Sequence, residues 1–212
     1  MVKRLPCTYR TGFYRLLCLS LFLLAGGYVC LSQRYIGIVG GAGLTSQVGL
    51  RVGLTAEWKL GRSANLSFQP EWTYLQRGNK ELIRKLPGDR RYWLVTTEYM
   101  AMPMLFKARL DWQPVALYLL AGPEISYATS VQANYDEAGG IYREKLSFDQ
   151  VDLRRWDMGA TFGIGVEKTI RNRKKIFLDF RYYLGLKDLD TDDNSDVFHE
   201  GKVLNMGIVF PL

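Results

Sequence analysis

The stretch TEYMAMPMLFKARLDWQP (Thr97–Pro114) reads in two ways. As a continuous run it is greasy and Met-rich, like the start of a buried helix. Taken at alternate positions, it divides. Met100, Met102, Met104, Phe106, Ala108, Leu110 and Trp112 are all apolar, whereas Tyr99, Ala101, Pro103, Leu105, Lys107, Arg109 and Asp111 become charged along the stretch. A period of two marks a strand with two unlike faces.

The same division recurs in seven other segments: 35–45, 48–60, 64–75, 115–129, 155–168, 175–186 and 203–212. In 48–60, for example, Val48, Leu50, Val52, Leu54, Ala56, Trp58 and Leu60 alternate with Gly49, Arg51, Gly53, Thr55, Glu57 and Lys59. Most of the eight segments run to 10–15 residues. Strands of soluble proteins average about 5–6 residues, whereas a tilted strand needs about 9–11 to cross a bilayer. An even number of such strands closes an antiparallel barrel with both termini at one end. The expected fold is therefore all-β, an eight-stranded antiparallel transmembrane β-barrel.

The connections agree. Leu44 and Val48 share a phase across three residues, as do Leu60 and Ala64, while Trp112 and Val115 change parity across Gln113-Pro114. These spacings suit tight hairpins. Longer links are expected at 76–91, 130–153 and 187–201, all on the side opposite the termini.

Alternation alone does not say which face is greasy outside. The apolar phases carry almost no charge, and Trp58, Trp72, Tyr74, Trp112, Tyr127 and Trp156 lie toward their ends, where an aromatic girdle belongs. The opposite phases mix both signs of charge with glycine. Arg51, Glu57, Glu71, Lys107, Arg109, Glu124, Arg155, Asp157, Glu167, Asp179 and Arg181 are expected to point inward as a structural polar network. Eight strands enclose a space just wide enough for side chains to fill.

Residues 1–32 read as a signal peptide and 33–212 as the barrel domain. Lys3, Arg4, Arg10 and Arg15 form a basic leader, Leu16–Leu31 is apolar, and Ser32 precedes the expected cleavage before Gln33. Two other readings are an uncleaved anchor, for which sixteen apolar residues are short, and a lipoprotein at Cys30, which lacks small residues before it. Cleavage removes all three cysteines, which excludes disulfides from the mature chain. It also leaves 24 Lys and Arg against 21 Asp and Glu, so the basicity that suggests a nucleic-acid partner largely disappears.

Four stretches resemble the PorT-like outer-membrane β-barrel family of Bacteroidetes. They are Tyr99–Lys107, similar to its Y-L-E-I-P-L-L-L-K strand; Leu119–Pro123, similar to L-L-A-G-P; the Gly-alternating Phe162–Glu167; and Asp179–Leu186, similar to D-x-R-Y-x-x-G-L. The resemblance implies a Gram-negative outer-membrane barrel, and the family's namesake is tied to type IX protein secretion. Two departures stand out. Ala101 replaces the family's lumenal Glu, and the chain ends Phe210-Pro211-Leu212 rather than in an aromatic residue.

Other motifs point elsewhere and fall short. GIVGGAG (Gly37–Gly43) looks like a dinucleotide loop, but another strand follows it where a helix is required. DLDTDDNSD (Asp188–Asp196) places oxygen ligands at alternate positions, as Ca²⁺ prefers, but has Asp193 and His199 where Gly and Glu belong. Arg77, Lys80, Arg84, Lys85, Arg90 and Arg91 offer partners for lipopolysaccharide phosphates, although a soluble loop explains them more simply. His199, the single histidine, sits on the acidic loop with no evident Ser partner.

The functional expectation is a monomeric outer-membrane barrel with periplasmic termini and a filled lumen. It would serve as a structural or adapter component of the envelope or of a type IX-like secretion assembly, with no catalytic residue, cofactor or metal. A small-solute porin and a lipid-A-acting enzyme are the alternatives. Pro103 cannot donate to a ladder, so a bulge or a missing hydrogen bond is expected there.

Overall fold

The computed structural model describes residues 34–44, 48–61, 65–79, 91–112, 114–137, 140–148, 153–186 and 200–212. The expected signal segment 1–32, the acidic stretch 188–196, His199, and Lys80, Arg84, Lys85 and Arg90 lie outside them.

Among the described residues, nine strands form one antiparallel sheet: β1 Arg34–Leu44, β2 Val48–Lys59, β3 Leu66–Asn79, β4 Arg91–Trp112, β5 Val115–Glu137, β6 Gly140–Leu146, β7 Trp156–Thr169, β8 Lys175–Gly185 and β9 Glu200–Pro211. β1 pairs with β2 on one edge and β9 on the other, and β4 pairs with β5. The ring β1-β2-β3-β4-β5-β7-β8-β9 is thereby closed, as the eight-stranded reading expects. The ninth strand, β6, is not part of the ring. β5 pairs with β7 over Ala116–Tyr127 and, further along, with β6 over Val131–Glu137.

Exposure identifies the outer face. Ile38, Leu54 and Ile164 are 56%, 58% and 57% exposed, whereas Glu57, Asp157 and Arg181 are 1%, 0% and 1% exposed. A soluble barrel would show the reverse. Here the apolar phase faces out and the charged phase faces in, which suits lipid outside and a solid interior. Trp58, Phe68 and Phe106 contact one another in sequence near the end that holds the termini, and Tyr127 lies against Trp156 toward the other end.

The structure departs from the sequence expectation at several boundaries. β3 and β5 are longer than the 64–75 and 115–129 segments, and much of the expected 130–153 loop is strand. The β2–β3 hairpin is wider than three residues: its ladder ends at Lys59↔Ser67, and Leu60 N–H donates to the Leu66 carbonyl at 2.8 Å.

One bulge accounts for most of the extra strand. Tyr99 pairs with Ala128, but Glu98 pairs with Ser130, so Thr129 is an added residue in β5. Its Oγ1 donates to the Glu98 carbonyl at 3.2 Å. An added residue exchanges the faces of everything beyond it. Below Thr129 the even positions of β5 point inward; above it Val131 and Ala133 do. There Val95, Val131, Ala133, Leu146 and Leu153 bury one another, with Phe148 packed against them, while Thr96, Glu98, Gln132 and Asn134 take the outer face. The barrel is apolar outside and polar inside below the bulge, and polar outside and apolar inside above it. That inversion marks where lipid gives way to water.

Pro103 is in register on both sides, so no bulge forms there. The ladder instead skips. Pairing runs from Thr55↔Glu71 to Trp58↔Phe68, from Thr73↔Ala101 to Pro70↔Met104, and from Pro103↔Glu124 to Phe106↔Ala121. Each gap holds a proline, respectively Pro70, Pro103 and Pro123. A proline has no N–H to give, and three such gaps in adjacent ladders form a diagonal seam across β2–β5.

Candidate functional site: the lumen and the projecting sheet

The inward side chains form layers. Nearest the termini, Glu57 and Glu167 are surrounded by three cations. Lys107 Nζ reaches Glu57 at 3.2 Å and also bonds Glu167; Lys175 Nζ reaches them at 3.1 and 3.3 Å; and Arg109 reaches Glu167 at 2.9 Å. Ser67 Oγ adds a hydrogen bond to Glu57 at 3.2 Å. The two ammonium groups also lie 4.2 Å from the ring centroids of Tyr118 and Tyr35. Tyr35, Val39, Leu105, Tyr118, Leu120, Phe177 and Val209 form an apolar layer among them.

At mid-barrel Arg181 donates to both oxygens of Glu71, at 2.8 and 3.0 Å, and to both oxygens of Asp179, at 2.8 and 2.9 Å. Arg51 and Gln69 complete Glu71 at 3.1 and 2.8 Å, and Asn205 and Tyr118 complete Asp179 at 2.9 and 3.0 Å. Above this, Arg77 bonds Asp157 at 2.9 Å and Glu124 at 3.0 Å, and lies between the rings of Tyr99 and Tyr183. Thr161 Oγ1 donates to the other Glu124 oxygen at 2.7 Å. The apolar cluster around Val95, Val131 and Leu153 lies beyond.

Among the described residues, six carboxylates and six cations thus occupy the lumen, and each of these carboxylates has a cation within 3.3 Å. Buried charges are tolerated only with such partners. A void of about 20 Å³ between Arg51, Arg77, Glu124 and Arg181 has room for a single water.

Ten of the eleven residues expected inside are brought together. Arg155 is not: β7 begins after it, so the alternation does not govern it. Its guanidinium is exposed, 4.5 Å from the Phe148 ring centroid and 3.2 Å from the Tyr127 hydroxyl. Arg77 and Lys175 complete the network and were not among the expected residues. Arg77 continues the inward phase of Glu71, Thr73 and Leu75, within the 76–91 link that the sequence pattern gives. Lys175 stands in phase with Asp179 and Arg181. Ala101, where the resembling family has Glu, is buried against Leu75, Tyr99 and Ala128, and Arg77 takes its carboxylates from β5 and β7 instead.

A second feature is the sheet that β4, β5 and β6 extend past the bulge. Its outer face has a polar pocket of about 170 Å³ lined by Gln76, Thr96, Glu98, Gln132, Asn134 and Arg143. Among the described residues, no group of three or more His, Cys, Asp or Glu is placed to hold a metal ion.

The profile of the outer membrane protein beta-barrel domain matches residues 39–191. The chain belongs to that family. Membership in this outer membrane beta-barrel family agrees with the lipid-suited exterior and places the protein in the outer membrane. Several solved structures are similar to this family member. Ail, the attachment invasion locus protein of Yersinia pestis, is 13% identical, covering 85% of this chain and 97% of its own, with a TM-score of 0.44. A major outer membrane protein from Thermus thermophilus is 10% identical over 84% and 99%, with a TM-score of 0.49. The outer membrane enzyme PagL is 12% identical over 84% and 99%, with a TM-score of 0.46. No curated protein matches the chain.

Proposed function

We propose that this barrel is a non-conducting structural or adapter component of the envelope, with periplasmic termini, presenting its β4–β6 sheet outside the membrane. The observation that carries this reading is the pairing of the six lumenal carboxylates among the described residues, below an apolar plug. Opening a pore would break several buried charge pairs at once. The exposed part therefore supplies the interaction surface. The four motifs similar to the PorT-like family favour a partner from a secretion assembly of the type IX kind, and the barrel itself acts as a monomer. Cations beside the projecting sheet, including Arg143 and Lys145, offer partners for lipopolysaccharide phosphates.

The test is site-specific photocrosslinking in intact outer membranes, with the reactive group at Arg143 or Lys145 and, as control, at Leu119 on the lipid face. Recovery of one envelope or secretion protein from the sheet positions alone supports the adapter reading. Identical background at all three positions contradicts it.

A further inference from the structure

Outside the lumen, the two ends of the barrel differ in charge. At the end with the termini the described residues include five outward cations, Arg34, Lys168, Arg171, Arg173 and Lys174, and one side-chain carboxylate, Asp111, which Arg109 engages at 3.1 Å. The cations are not spread around the rim. They sit on β1, β7 and the β7–β8 turn, an arc of four neighbouring strands, β7-β8-β9-β1. That turn has a defined shape. Ile170 N–H donates to the Lys174 carbonyl at 2.7 Å, and Asn172 and Arg173 both adopt left-handed backbone, with φ of 62° and 58°. Glycine would relax those positions; this chain keeps a cation at one of them.

Directly above the arc, the lipid-facing wall is hollow. A groove of about 920 Å³ crosses these strands and the adjoining β2, between Ile38, Leu54, Leu178, Met206 and Ile208. Gly40 lines it without a side chain, and a Cβ built there meets nothing closer than 3.9 Å. Lys168 lines the groove at its charged end, so the apolar hollow and the cationic turn are continuous. Alkyl surface next to clustered positive charge, at the depth where a bilayer's headgroups begin, is complementary to one kind of molecule.

We propose that this face binds an anionic glycerophospholipid, its phosphate on Lys168, Arg171 and Lys174 and an acyl chain in the groove over Gly40. Each cation near a charged membrane surface contributes attraction that salt screens. The inference requires only that the barrel spans a bilayer, and does not depend on the adapter role or on which end faces the periplasm.

Native mass spectrometry of the whole barrel tests it, with phosphatidylglycerol and phosphatidylcholine of identical chains competing at equal concentration. The barrel should retain phosphatidylglycerol at least tenfold over phosphatidylcholine at low salt, and lose that preference at 0.5 M salt. Combined Lys168→Gln, Arg171→Gln and Lys174→Gln changes should bring the ratio within about twofold of one, whereas Arg143→Gln with Lys145→Gln at the opposite end should leave it intact. Gly40→Leu should reduce retention of both lipids without altering the ratio. Equal retention by the unmodified barrel, a preference that survives salt or the triple change, or a Gly40→Leu barrel indistinguishable from the parent would overturn the proposal. Heat-modifiable mobility on gels verifies that each variant is folded.

Discussion

Arg181 on β8 holds Glu71 on β3 through two parallel hydrogen bonds of 2.8 and 3.0 Å. In the eight-membered ring these strands stand opposite one another, so the pair spans the lumen from wall to wall. A guanidinium fork on a carboxylate is among the strongest side-chain contacts available, and this one occupies the middle of the barrel.

Removing one partner should therefore cost more than removing both. Glu71→Ala leaves Arg181 and Arg51 facing a cavity and should destabilise the barrel by about 3–5 kcal/mol. Arg181→Met combined with Glu71→Leu should recover most of that loss. Urea unfolding in lipid vesicles, followed by tryptophan fluorescence, compares the three proteins. A double variant as unstable as Glu71→Ala would show that the pair is not an isolated unit.

The interior aromatic rings demand bare backbone opposite them. A Cβ on Gly165 would lie 2.4 Å from the Tyr118 ring, and one on Gly207 2.4 Å from the Phe177 ring. Gly165→Ala and Gly207→Ala should each cost about 1–3 kcal/mol by overpacking. Equilibrium unfolding that leaves both within ~0.5 kcal/mol of the parent would contradict this packing.

The inversion at Thr129 predicts opposite outcomes for similar substitutions. Leu119→Lys places a charge on the lipid face and should cost about 2–4 kcal/mol. Gln132→Lys, on the outer face above the bulge, should change stability by less than ~0.5 kcal/mol. Val131→Asp, one residue away, buries an unpaired carboxylate in the apolar plug and should be among the most damaging single changes in β5. Comparable losses at positions 119 and 132 would mean that the membrane boundary lies elsewhere.

The proposed orientation predicts labelling by an impermeant maleimide. In intact cells Lys145→Cys should react and Arg171→Cys should not, whereas both should react in lysed cells. The reverse pattern would invert the barrel.

Alternation made the membrane-spanning part of the fold legible. The phase of Met100, Met102, Met104 and Phe106 assigns lipid and lumen faces without reference to a structure, and ten lumenal charges follow from the same rule. Where the rule failed, the cause is local. Thr129 shifts β5 by one residue, so the strand beyond it is out of phase with what precedes it and reads as loop. Arg77 was lost with the equivalent stretch of β3. Arg155 stands in phase with Asp157, yet it precedes the strand. Nothing in the alternation reveals that Pro70, Pro103 and Pro123 fall in successive ladders, because that depends on register between strands rather than on pattern within one. Nor does it reveal that the cations around Lys168 share one arc of the rim.

The lumen is closed by its own paired charges. Recording current across a planar bilayer that holds the purified barrel tests this most directly. The membrane should stay silent at moderate voltage in molar potassium chloride, with steps appearing only when Arg77 and Arg181 are both replaced by alanine. Stable unitary conductance from the unmodified protein would contradict it.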